Sequence, residues 1–391
     1  MAELRDLDLV DVVLAAERAL SSAAGVAVTL RDVHVLSEAQ RRNLVFRACA
    51  DHDGGTTRAV VVKAARAVAN PDAPQDSGLV REWAATSYLA ERAAGVGHGA
   101  ALLASSAREG LLVFEDLGAD LGSLVGPLLN GGAADAERAL TAYARALGRL
   151  HADTAACRQA YDETFQSFLG VPRADRSVEN PVERQARSVA AQLGGDPPAD
   201  ELAQIARRLR DPGPWLALVH GDPCPDNALV VGDRVHLIDY EFAGPSHALL
   251  DGAYWRMGFP TCWCAGRLPP EVAMRVEAVY RAEIARTMPQ AADEGTYRAE
   301  LAFAAAIWLF VCLDWRLEEA LREDAQWGVA SVRSRLLLYL ETVVDLAGAA
   351  GVLPEIRRTA EVWLRDLRGR WPQTEALALY PAFAASSAVE R

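Results

Sequence analysis

The chain has 391 residues, and at roughly 150 residues per domain this length predicts two to three domains. It contains 40 basic and 53 acidic residues, so its formal net charge is −13, which argues against a basic nucleic-acid-binding face. Hydrophobic residues make up 51% and charged residues 24% of the chain, which is typical of a globular protein rather than a disordered one. We therefore expect a folded protein with no nucleic-acid partner.

The first third of the chain is rich in strand patterns. An amphipathic helix is predicted over 3–23, and a second helix is predicted after Ser77, which is a suitable N-cap residue. Alternating or β-rich runs predict five strands, at 26–35, 43–49, 58–63, 101–105 and 111–115. Residues 1–117 are therefore predicted to form a five-stranded antiparallel sheet with one inserted helix.

Helical patterns dominate the rest of the chain, 118–391. The main predicted helical regions are 133–151, 180–210 and 270–371. A short β-rich stretch at 215–239 interrupts them. The pattern predicts an α+β protein with two domains, a small sheet domain at 1–117 and a larger, mainly helical domain at 118–391.

Targeting signals are not evident in the sequence. The N-terminal residues are acidic and amphipathic, unlike a signal peptide. The longest apolar run, 301–313, is too short to span a bilayer and lies between Glu300 and Asp314, so it predicts a buried helix. We expect a cytoplasmic protein that does not contact a membrane.

The six cysteines are irregularly spaced and contain no CxxC pair. This spacing predicts neither a disulfide framework nor a zinc site, and it fits a reducing cytoplasm. Cys262 and Cys264 form a CxC pair without nearby partner ligands, so we do not interpret them as a metal site. Cys224, between two prolines, is interpreted as a small space-filling residue.

One lysine stands out in the composition. Of the 40 basic residues 39 are arginine, and Lys63 is the only lysine. A bias towards arginine codons explains the arginines but not the remaining lysine. Because lysine is a compact point charge on a slim stem, it is not interchangeable with arginine at a tight phosphate site.

Two short motifs in the β-rich stretch combine carboxylates with an amide. They are HGDPCPDN at 220–227 and IDYE at 238–241. Phosphoryl transfer needs a carboxylate that orients the attacking hydroxyl, for which Asp222 is suited, and oxygen ligands for Mg²⁺, for which Asn227 and Asp239 are suited. Either motif alone could be an ordinary turn, but their combination favours the functional interpretation.

Further motifs occur together with these two. They are Asp251, Leu150-His151 at the end of a helix, VVVK ending at Lys63, and VFEDLG at 113–118. With them the sequence resembles the aminoglycoside phosphotransferase and choline-kinase-like family, over roughly residues 26–330. The resemblance implies the bilobal fold of protein kinases, with a small sheet lobe and a larger helical lobe. It also implies ATP and Mg²⁺ as cofactors and transfer of the γ-phosphate to a small-molecule hydroxyl.

The resemblance assigns roles to the two short motifs. Asp222 resembles the catalytic base, whereas Asn227 and Asp239 resemble the Mg²⁺ ligands. His220 is interpreted as a brace for the catalytic loop, and Glu241 as a support of the site rather than a direct metal ligand.

The resemblance also implies a nucleotide-binding set. Lys63 resembles the lysine of the third strand that contacts the α- and β-phosphates. Glu82 is favoured over Glu91 as its partner, the alternative for Glu82 being a solvated helix charge. Glu115, Asp116 and Leu117 resemble the segment between the lobes whose backbone binds adenine.

The loop at 36–43 departs from the family pattern. It reads LSEAQRRN and contains no glycine, although loops that cover nucleotide phosphates usually contain several. Ser37, Asn43 or the pair Arg41 and Arg42 are therefore the candidates for contacting the phosphates.

The helical domain is expected to select the acceptor. The acidic balance favours an amine-bearing acceptor, such as an aminoglycoside, an aminosugar or an amino alcohol, and thus a role in antibiotic resistance or biosynthesis. Trp255, Trp263 and Trp315 are candidates for stacking on a sugar or a cation. Four acidic residues either attract an amine or form a solvated face: Asp314, Glu318, Glu319 and Asp324.

Alternatives remain open at this stage. A non-catalytic, nucleotide-binding pseudokinase would be expected to have lost a key residue, yet all four are present: Lys63, Asp222, Asn227 and Asp239. A kinase of a non-amine metabolite or of a nucleoside is a further alternative. A protein kinase is disfavoured because the sequence has HGD where protein kinases have HRD. In addition, Asp239 is not followed by the glycine of the DFG motif. We expect a monomer or a homodimer.

Overall fold

The computed structural model describes residues 7–37, 42–53, 55–66, 77–92, 97–119, 121–169 and 181–384. Its helices are α1 Leu9–Ala24, α2 Gly78–Arg92, α3 Val125–Asn130, α4 Ala133–Asp153, α5 Arg158–Leu169, α6 Pro181–Leu193, α7 Ala199–Arg210, α8 Leu249–Gly252, α9 Pro270–Ile284, α10 Glu294–Arg322, α11 Val332–Ala350, α12 Pro354–Arg370 and α13 Pro381–Ala384. Its strands are β1 Val28–Val35, β2 Asn43–His52, β3 Thr57–Ala65, β4 Leu102–Ser106, β5 Leu111–Glu115, β6 Leu216–Val219, β7 Ala228–Val231, β8 Arg234–Leu237, β9 Gly244–His247, β10 Gln326–Trp327 and β11 Ala330–Ser331.

The chain divides into two compact units. Unit 1 comprises residues 1–121, 159–174 and 236–244, and unit 2 comprises residues 122–158, 175–235 and 245–391. The predicted division into 1–117 and 118–391 stays a prediction.

Unit 1 is built on a five-stranded antiparallel sheet with the strand order β1-β2-β3-β5-β4. Along β2 the side chains alternate, so that Leu44, Phe46, Ala48 and Ala50 are buried and their neighbours are half-buried. These residues form one hydrophobic cluster with β3 and with the apolar face of α1. The predicted α+β class with a five-stranded antiparallel sheet is confirmed.

Unit 2 is mainly helical, as predicted. In its core α10 packs against α6 and α11, α11 packs against α12, and α4 packs against α9. The short strands β9, β10 and β11 were not predicted, because their sequences, GPSH, QW and AS, lack the β-rich composition that indicated strands at 215–239. The pair β10–β11 interrupts what the sequence predicted as one helical region, 270–371.

Helix α10 contains the apolar run of the sequence. With 29 residues it is long and apolar enough to cross a membrane by length and composition, a test that core helices also pass. Most of its side chains between Leu301 and Leu313 are buried inside unit 2, in contact with α6 and α11. This burial is that of a core helix, as the sequence predicted.

Candidate active site

The only lysine of the chain lies in β3. Strand alternation directs its side chain away from the face occupied by Val62 and Ala64. Its Nζ donates hydrogen bonds to Oε2 of Glu82, at 2.5 Å, and to Oδ1 of Asp239. The Lys63 and Glu82 side chains are buried, whereas 37% of the Asp239 side chain is exposed. Unit 1 thus brings three of the predicted site residues together.

The partner of Lys63 on α2 is Glu82. Glu82 lies on the buried face of this helix and retains only 3% exposure, so it is not a solvated helix charge. Glu91, the alternative, accepts a hydrogen bond from Oγ1 of Thr164 at 3.3 Å. The pairing of Lys63 with Glu82 is the one that the resemblance implied.

Neighbouring carboxylates keep Lys63 in its charged form. Burial opposes the ammonium ion, but the carboxylates of Glu82, Asp239 and Glu241 together raise the pKa of Lys63 above its ordinary value. Burial raises the pKa of Glu82, and the charge of Lys63 counteracts this shift. Lys63 therefore stays positively charged. Its ammonium group is suited to bind phosphate oxygens in place of the carboxylate oxygens that it contacts here.

Two acidic residues after β8 contribute to this cluster. Asp239 has a φ of +66°, in the left-handed region that few residues other than glycine adopt. Glu241 accepts a hydrogen bond from Nη2 of Arg42 at 2.7 Å, and its backbone carbonyl accepts one from Nε of Arg81 at 2.6 Å. Both guanidinium groups lie over the ring of Phe242. Glu241 therefore fixes an arginine of the glycine-free loop.

The candidates for phosphate contact in that loop are partly engaged within unit 1. Oγ of Ser37 accepts a hydrogen bond from the backbone N–H of Val45 at 3.0 Å. Nδ2 of Asn43 lies 3.5 Å from Oε2 of Glu241. Arg41 lies outside the described residues. Nucleotide contact by Ser37 stays a prediction.

The segment predicted to bind adenine follows β5. The backbone N–H of Glu115 donates to the carbonyl of Ala101 at 2.9 Å, and that of Asp116 donates to the carbonyl of Ala59 at 3.1 Å. These two N–H groups are therefore occupied. In the part of the chain that the structure describes, the N–H of Leu117 has no hydrogen-bond partner, so it is the donor of this segment that adenine could use.

In unit 2 a buried carboxylate holds the loop that follows β6. Oδ2 of Asp251 accepts a hydrogen bond from the N–H of His220 at 2.6 Å, and Oδ1 accepts one from the N–H of Gly221 at 3.0 Å. Nε2 of His151 lies 3.1 Å from the same carboxylate. The N–H of Asp222 points to Nδ1 of His220 at 3.4 Å. Asp251 and His220 thus brace the loop that carries Asp222.

Asp222 and Asn227 are joined within this loop. Nδ2 of Asn227 donates to the backbone carbonyl of Asp222 at 3.0 Å. Oδ1 of Asp222 accepts a hydrogen bond from Oγ1 of Thr261 at 2.5 Å, and the Tyr254 hydroxyl lies 3.5 Å away. Burial raises the pKa of Tyr254 well above its ordinary value, so this hydroxyl stays protonated. The sequence did not single out Thr261 or Tyr254, because neither belongs to a local motif.

The structure corrects the expectation for the cysteines. Cys224 and Cys262 form a disulfide across 38 residues of sequence, so Cys224 is not merely a space-filling residue. The other four cysteines are free, and Cys264 is one of them. The pairing could not be predicted because it joins two segments without secondary structure that only the folded unit brings together.

The predicted acceptor residues separate into buried and exposed groups. Trp255 is buried and packs edge-on against Tyr143, so it lines no open pocket, contrary to expectation. Trp263 and Trp315 are exposed, and Nε1 of Trp263 donates to Oδ2 of Asp226 at 2.9 Å. Three of the four acidic residues of the helical stretch have partners within unit 2: Glu318 with Arg322, Glu319 with Arg316, and Asp324 with the N–H of Arg333.

A family model described as the phosphotransferase enzyme family matches residues 40–293 of the chain. The chain therefore belongs to the phosphotransferase enzyme family, which confirms the resemblance found in the sequence. No curated protein matches it.

Similar solved structures include three kinases of small molecules. A choline/ethanolamine kinase family protein from Mesorhizobium loti is 17% identical, with 86% of this chain and 93% of that chain covered and a TM-score of 0.41. A choline kinase from Cryptosporidium parvum is 13% identical, with 85% and 93% covered and a TM-score of 0.48. A thermostable mutant of an aminoglycoside phosphotransferase is 15% identical, with 88% and 98% covered and a TM-score of 0.40.

Proposed function

We propose that this phosphotransferase is an ATP-dependent kinase that transfers the γ-phosphate to a hydroxyl group of a small molecule. The observation that carries the proposal is the buried cluster in which Lys63 donates to both Glu82 and Asp239. In a chain with 39 arginines, the single lysine occupies the position where a slim cation is needed.

The nucleotide would bind to groups of unit 1. Lys63 would contact the α- and β-phosphates, with Glu82 fixing its ammonium group. The N–H of Leu117 would donate to adenine, with Glu115 and Asp116 holding the segment through their bonds to Ala101 and Ala59. Ser37 would stabilise the phosphate-covering loop through Val45.

The two predicted Mg²⁺ ligands, Asn227 and Asp239, carry the kind of oxygen atom that this ion prefers. Asn227 uses its Nδ2 to hold the Asp222 carbonyl, so its amide oxygen is directed elsewhere, and Asp239 offers a partly exposed carboxylate. Both are hard oxygen donors of the kind that Mg²⁺ prefers. When bound, the metal would neutralise negative charge on the phosphates.

Asp222 would act on the acceptor. A carboxylate orients the attacking hydroxyl and accepts its proton during transfer. The loop that carries Asp222 is braced by Asp251 through two backbone N–H groups, which limits its motion. A fixed carboxylate contributes to catalysis through orientation of the nucleophile.

The acceptor class is an amine-bearing hydroxyl compound in this proposal, namely an aminoglycoside, an aminosugar or an amino alcohol. The net charge of −13 and the exposed indole of Trp263, which donates to the half-buried Asp226, support it. A role in antibiotic resistance or biosynthesis would follow. We propose a cytoplasmic location, where ATP is available, and a monomer or a homodimer.

The test is transfer from γ-labelled ATP, with Mg²⁺, to separate pools of aminoglycosides, aminosugars, amino alcohols, nucleosides and neutral sugars. Asp222→Asn is compared with the wild-type protein and with Asp233→Asn, a matched change at an exposed turn position of unit 2. We expect labelled product in an amine-containing pool, loss of it in Asp222→Asn, and wild-type activity in Asp233→Asn.

Other results would redirect the proposal. Label in the nucleoside or neutral-sugar pool alone would reject the amine-bearing acceptor and keep the kinase. No label in any pool, together with ATP binding in calorimetry, would favour the pseudokinase alternative. Full activity of Asp222→Asn would remove Asp222 from the mechanism.

A further inference from the structure

We propose that Thr261 is a positioning residue for Asp222 and that the Cys224–Cys262 disulfide holds it there, so that phosphoryl transfer depends on the redox state of this pair. The inference rests on the proposed function, because it concerns the turnover of that reaction. It adds a residue and a covalent bond that the family motifs do not include.

The hydroxyl of Thr261 is the nearest proton donor to the Asp222 carboxylate. The Thr261 hydroxyl has one proton, and Oδ1 of Asp222 at 2.5 Å is its shortest contact. The Tyr254 hydroxyl donates its own proton to the carbonyl of Gly221 at 3.2 Å and lies 3.2 Å from Oγ1 of Thr261. The sulfurs of a disulfide carry no proton. Thr261 therefore makes the short hydrogen bond that restrains the rotation of the carboxylate at Oδ1, whereas the Tyr254 hydroxyl lies 3.5 Å from the same atom.

The disulfide lies beside both Asp222 and Thr261. Sγ of Cys224 lies 3.1 Å from Oδ1 of Asp222 and 3.3 Å from Oγ1 of Thr261. Cys224 follows Asp222 by two positions, and Cys262 follows Thr261 directly. The disulfide therefore links the segment that carries Asp222 to the segment that carries Thr261. It lies next to the hydrogen bond between these two residues, which it would maintain.

The segment around Thr261 is held by turns and by side chains of other elements. Residues 253–268 contain no helix or long strand of their own, and backbone bonds such as that from the N–H of Cys262 to the carbonyl of Phe259, at 3.1 Å, form its turns. The Tyr339 hydroxyl donates to the carbonyl of Pro260 at 3.1 Å, and the buried guanidinium of Arg335 donates to the carbonyl of Cys262 at 2.6 Å. These bonds do not involve the disulfide. Reduction should therefore shift Thr261 without unfolding the segment.

Reduction has a defined chemistry. A dithiol attacks one sulfur through its thiolate, and the resulting mixed disulfide is resolved by the second thiol. The Cys224–Cys262 bond breaks, each cysteine gains one electron and one proton, and the dithiol becomes a disulfide. The Cys224 thiol then becomes a weak donor beside Oδ1 of Asp222 and competes with Thr261. Its sulfur also moves away from that of Cys262.

A third thiol nearby does not interfere. Cys264 follows Cys262 by two positions, and burial raises the pKa of its thiol to about 12. It therefore stays protonated and is a poor nucleophile for exchange into the disulfide. If the protein is cytoplasmic, a disulfide is typically transient and redox-sensing rather than structural, which is the behaviour proposed here.

The experiment measures phosphate release from MgATP, with water as the acceptor, and transfer from MgATP to the five acceptor pools. Oxidised wild-type protein is compared with protein reduced by dithiothreitol and with reduced protein reoxidised by oxidised glutathione. Alkylation of the protein unfolded in denaturant, followed by mass measurement, reports the redox state, because four cysteines should then react in the oxidised protein and all six after reduction. The thermal midpoint is recorded in parallel.

We expect reduction to lower kcat between about 10- and 100-fold with an unchanged KM for ATP, because a displacement near 1 Å costs about this much. Reoxidation should restore kcat. Thr261→Val, which removes only the hydroxyl, should have low kcat in both states, and Thr261→Ser should recover it. The double variant Cys224→Ser/Cys262→Ser should match reduced protein, and Cys264→Ser should respond to dithiol like the wild type.

Several results would overturn the inference. They are equal kcat in oxidised and reduced wild-type protein, wild-type kcat in Thr261→Val, or six reactive cysteines before reduction. A parallel loss of kcat and of the thermal midpoint would show a merely structural bond and also overturn it. Oxidised wild-type protein that neither hydrolyses ATP nor labels any pool would instead reject the proposed function, and this inference with it.

Discussion

Replacing Lys63 by methionine tests whether its charge stabilises the buried carboxylate of Glu82. In Lys63→Met the carboxylate of Glu82, which retains 3% exposure, loses the cation that offsets its burial. A buried carboxylate without a partner is expected to take up a proton, because burial raises its pKa. The variant should therefore be less stable than the wild type by an amount that depends on pH.

The magnitude follows from the ordinary pKa of glutamate. Keeping a carboxyl of pKa about 4.3 protonated at pH 7 costs about 4 kcal/mol, at about 1.4 kcal/mol per pH unit. At pH 5 the same cost is about 1 kcal/mol. The folded-state pKa of Glu82 lies above the unfolded value, so the stability of the variant is retained at low pH and lost as pH rises. The larger value is within the 3–5 kcal/mol, roughly, that breaking a buried pair costs.

The assay is hydrogen exchange measured on peptides from β3 and α2, at pH 5 and pH 7, for variant and wild type. The intrinsic rate of hydrogen exchange itself depends on pH, and comparing the two proteins at the same pH removes this contribution. A double variant, Lys63→Met/Glu82→Gln, is the control, because it has no carboxyl at this position and should lose the pH dependence. A destabilisation of the same size at both pH values would refute the reasoning.

Three further predictions concern other parts of the molecule. Leu117→Pro removes the N–H proposed to bind adenine, so calorimetry should show ATP affinity at least about 10-fold lower, whereas Leu117→Ala should retain it. In Gly99→Ala the new Cβ would lie 2.4 Å from the carbonyl oxygen of Leu237, so urea unfolding should show a loss of about 1–3 kcal/mol. Burial lowers the pKa of His247 despite its hydrogen bond to Glu300, so the thermal midpoint should fall as pH decreases below about 6.5, and His247→Gln should flatten this slope.

Each of these predictions has a result that contradicts it. Unchanged affinity in Leu117→Pro would place adenine elsewhere. A Gly99→Ala variant as stable as Gly122→Ala, whose added Cβ would meet nothing within 4 Å, would contradict the close approach to Leu237. For His247, the sign follows from a folded-state pKa below the unfolded value, which makes the neutral form the stabilising one. A midpoint that rises towards acid would contradict it.

The parts of the site that could be predicted from sequence lie close together in the chain or on regular elements. Asp222 and Asn227 belong to one loop, joined by the hydrogen bond from the Asn227 amide to the Asp222 carbonyl. Glu82 could be predicted because the resemblance implies a glutamate on the helix that follows β3, and Glu82 lies on the buried face of that helix. The five-stranded sheet could be predicted because alternation is a local property of each strand.

Thr261 and Cys262 could not be predicted for the opposite reason. Thr261 lies 39 residues after Asp222, in a segment without periodicity. The carbonyl groups on either side of it, of Pro260 and Cys262, accept hydrogen bonds from Tyr339 and Arg335. These two donors lie more than 70 residues further along the chain. No local pattern carries this information, since backbone carbonyls accept from any donor that the fold brings near.

The glycine-free loop carries an arginine, Arg42, that is held in place by side chains of unit 1. A glycine-rich loop holds phosphates through backbone N–H groups that approach closely because no Cβ intervenes. Here the guanidinium of Arg42 is held by Glu241, 199 residues away in sequence, and lies over the ring of Phe242. About two thirds of the Arg42 side chain remains exposed, so its other nitrogen atoms are accessible. Contact of Arg42 with nucleotide phosphates, in place of the backbone amides of a glycine-rich loop, stays a prediction.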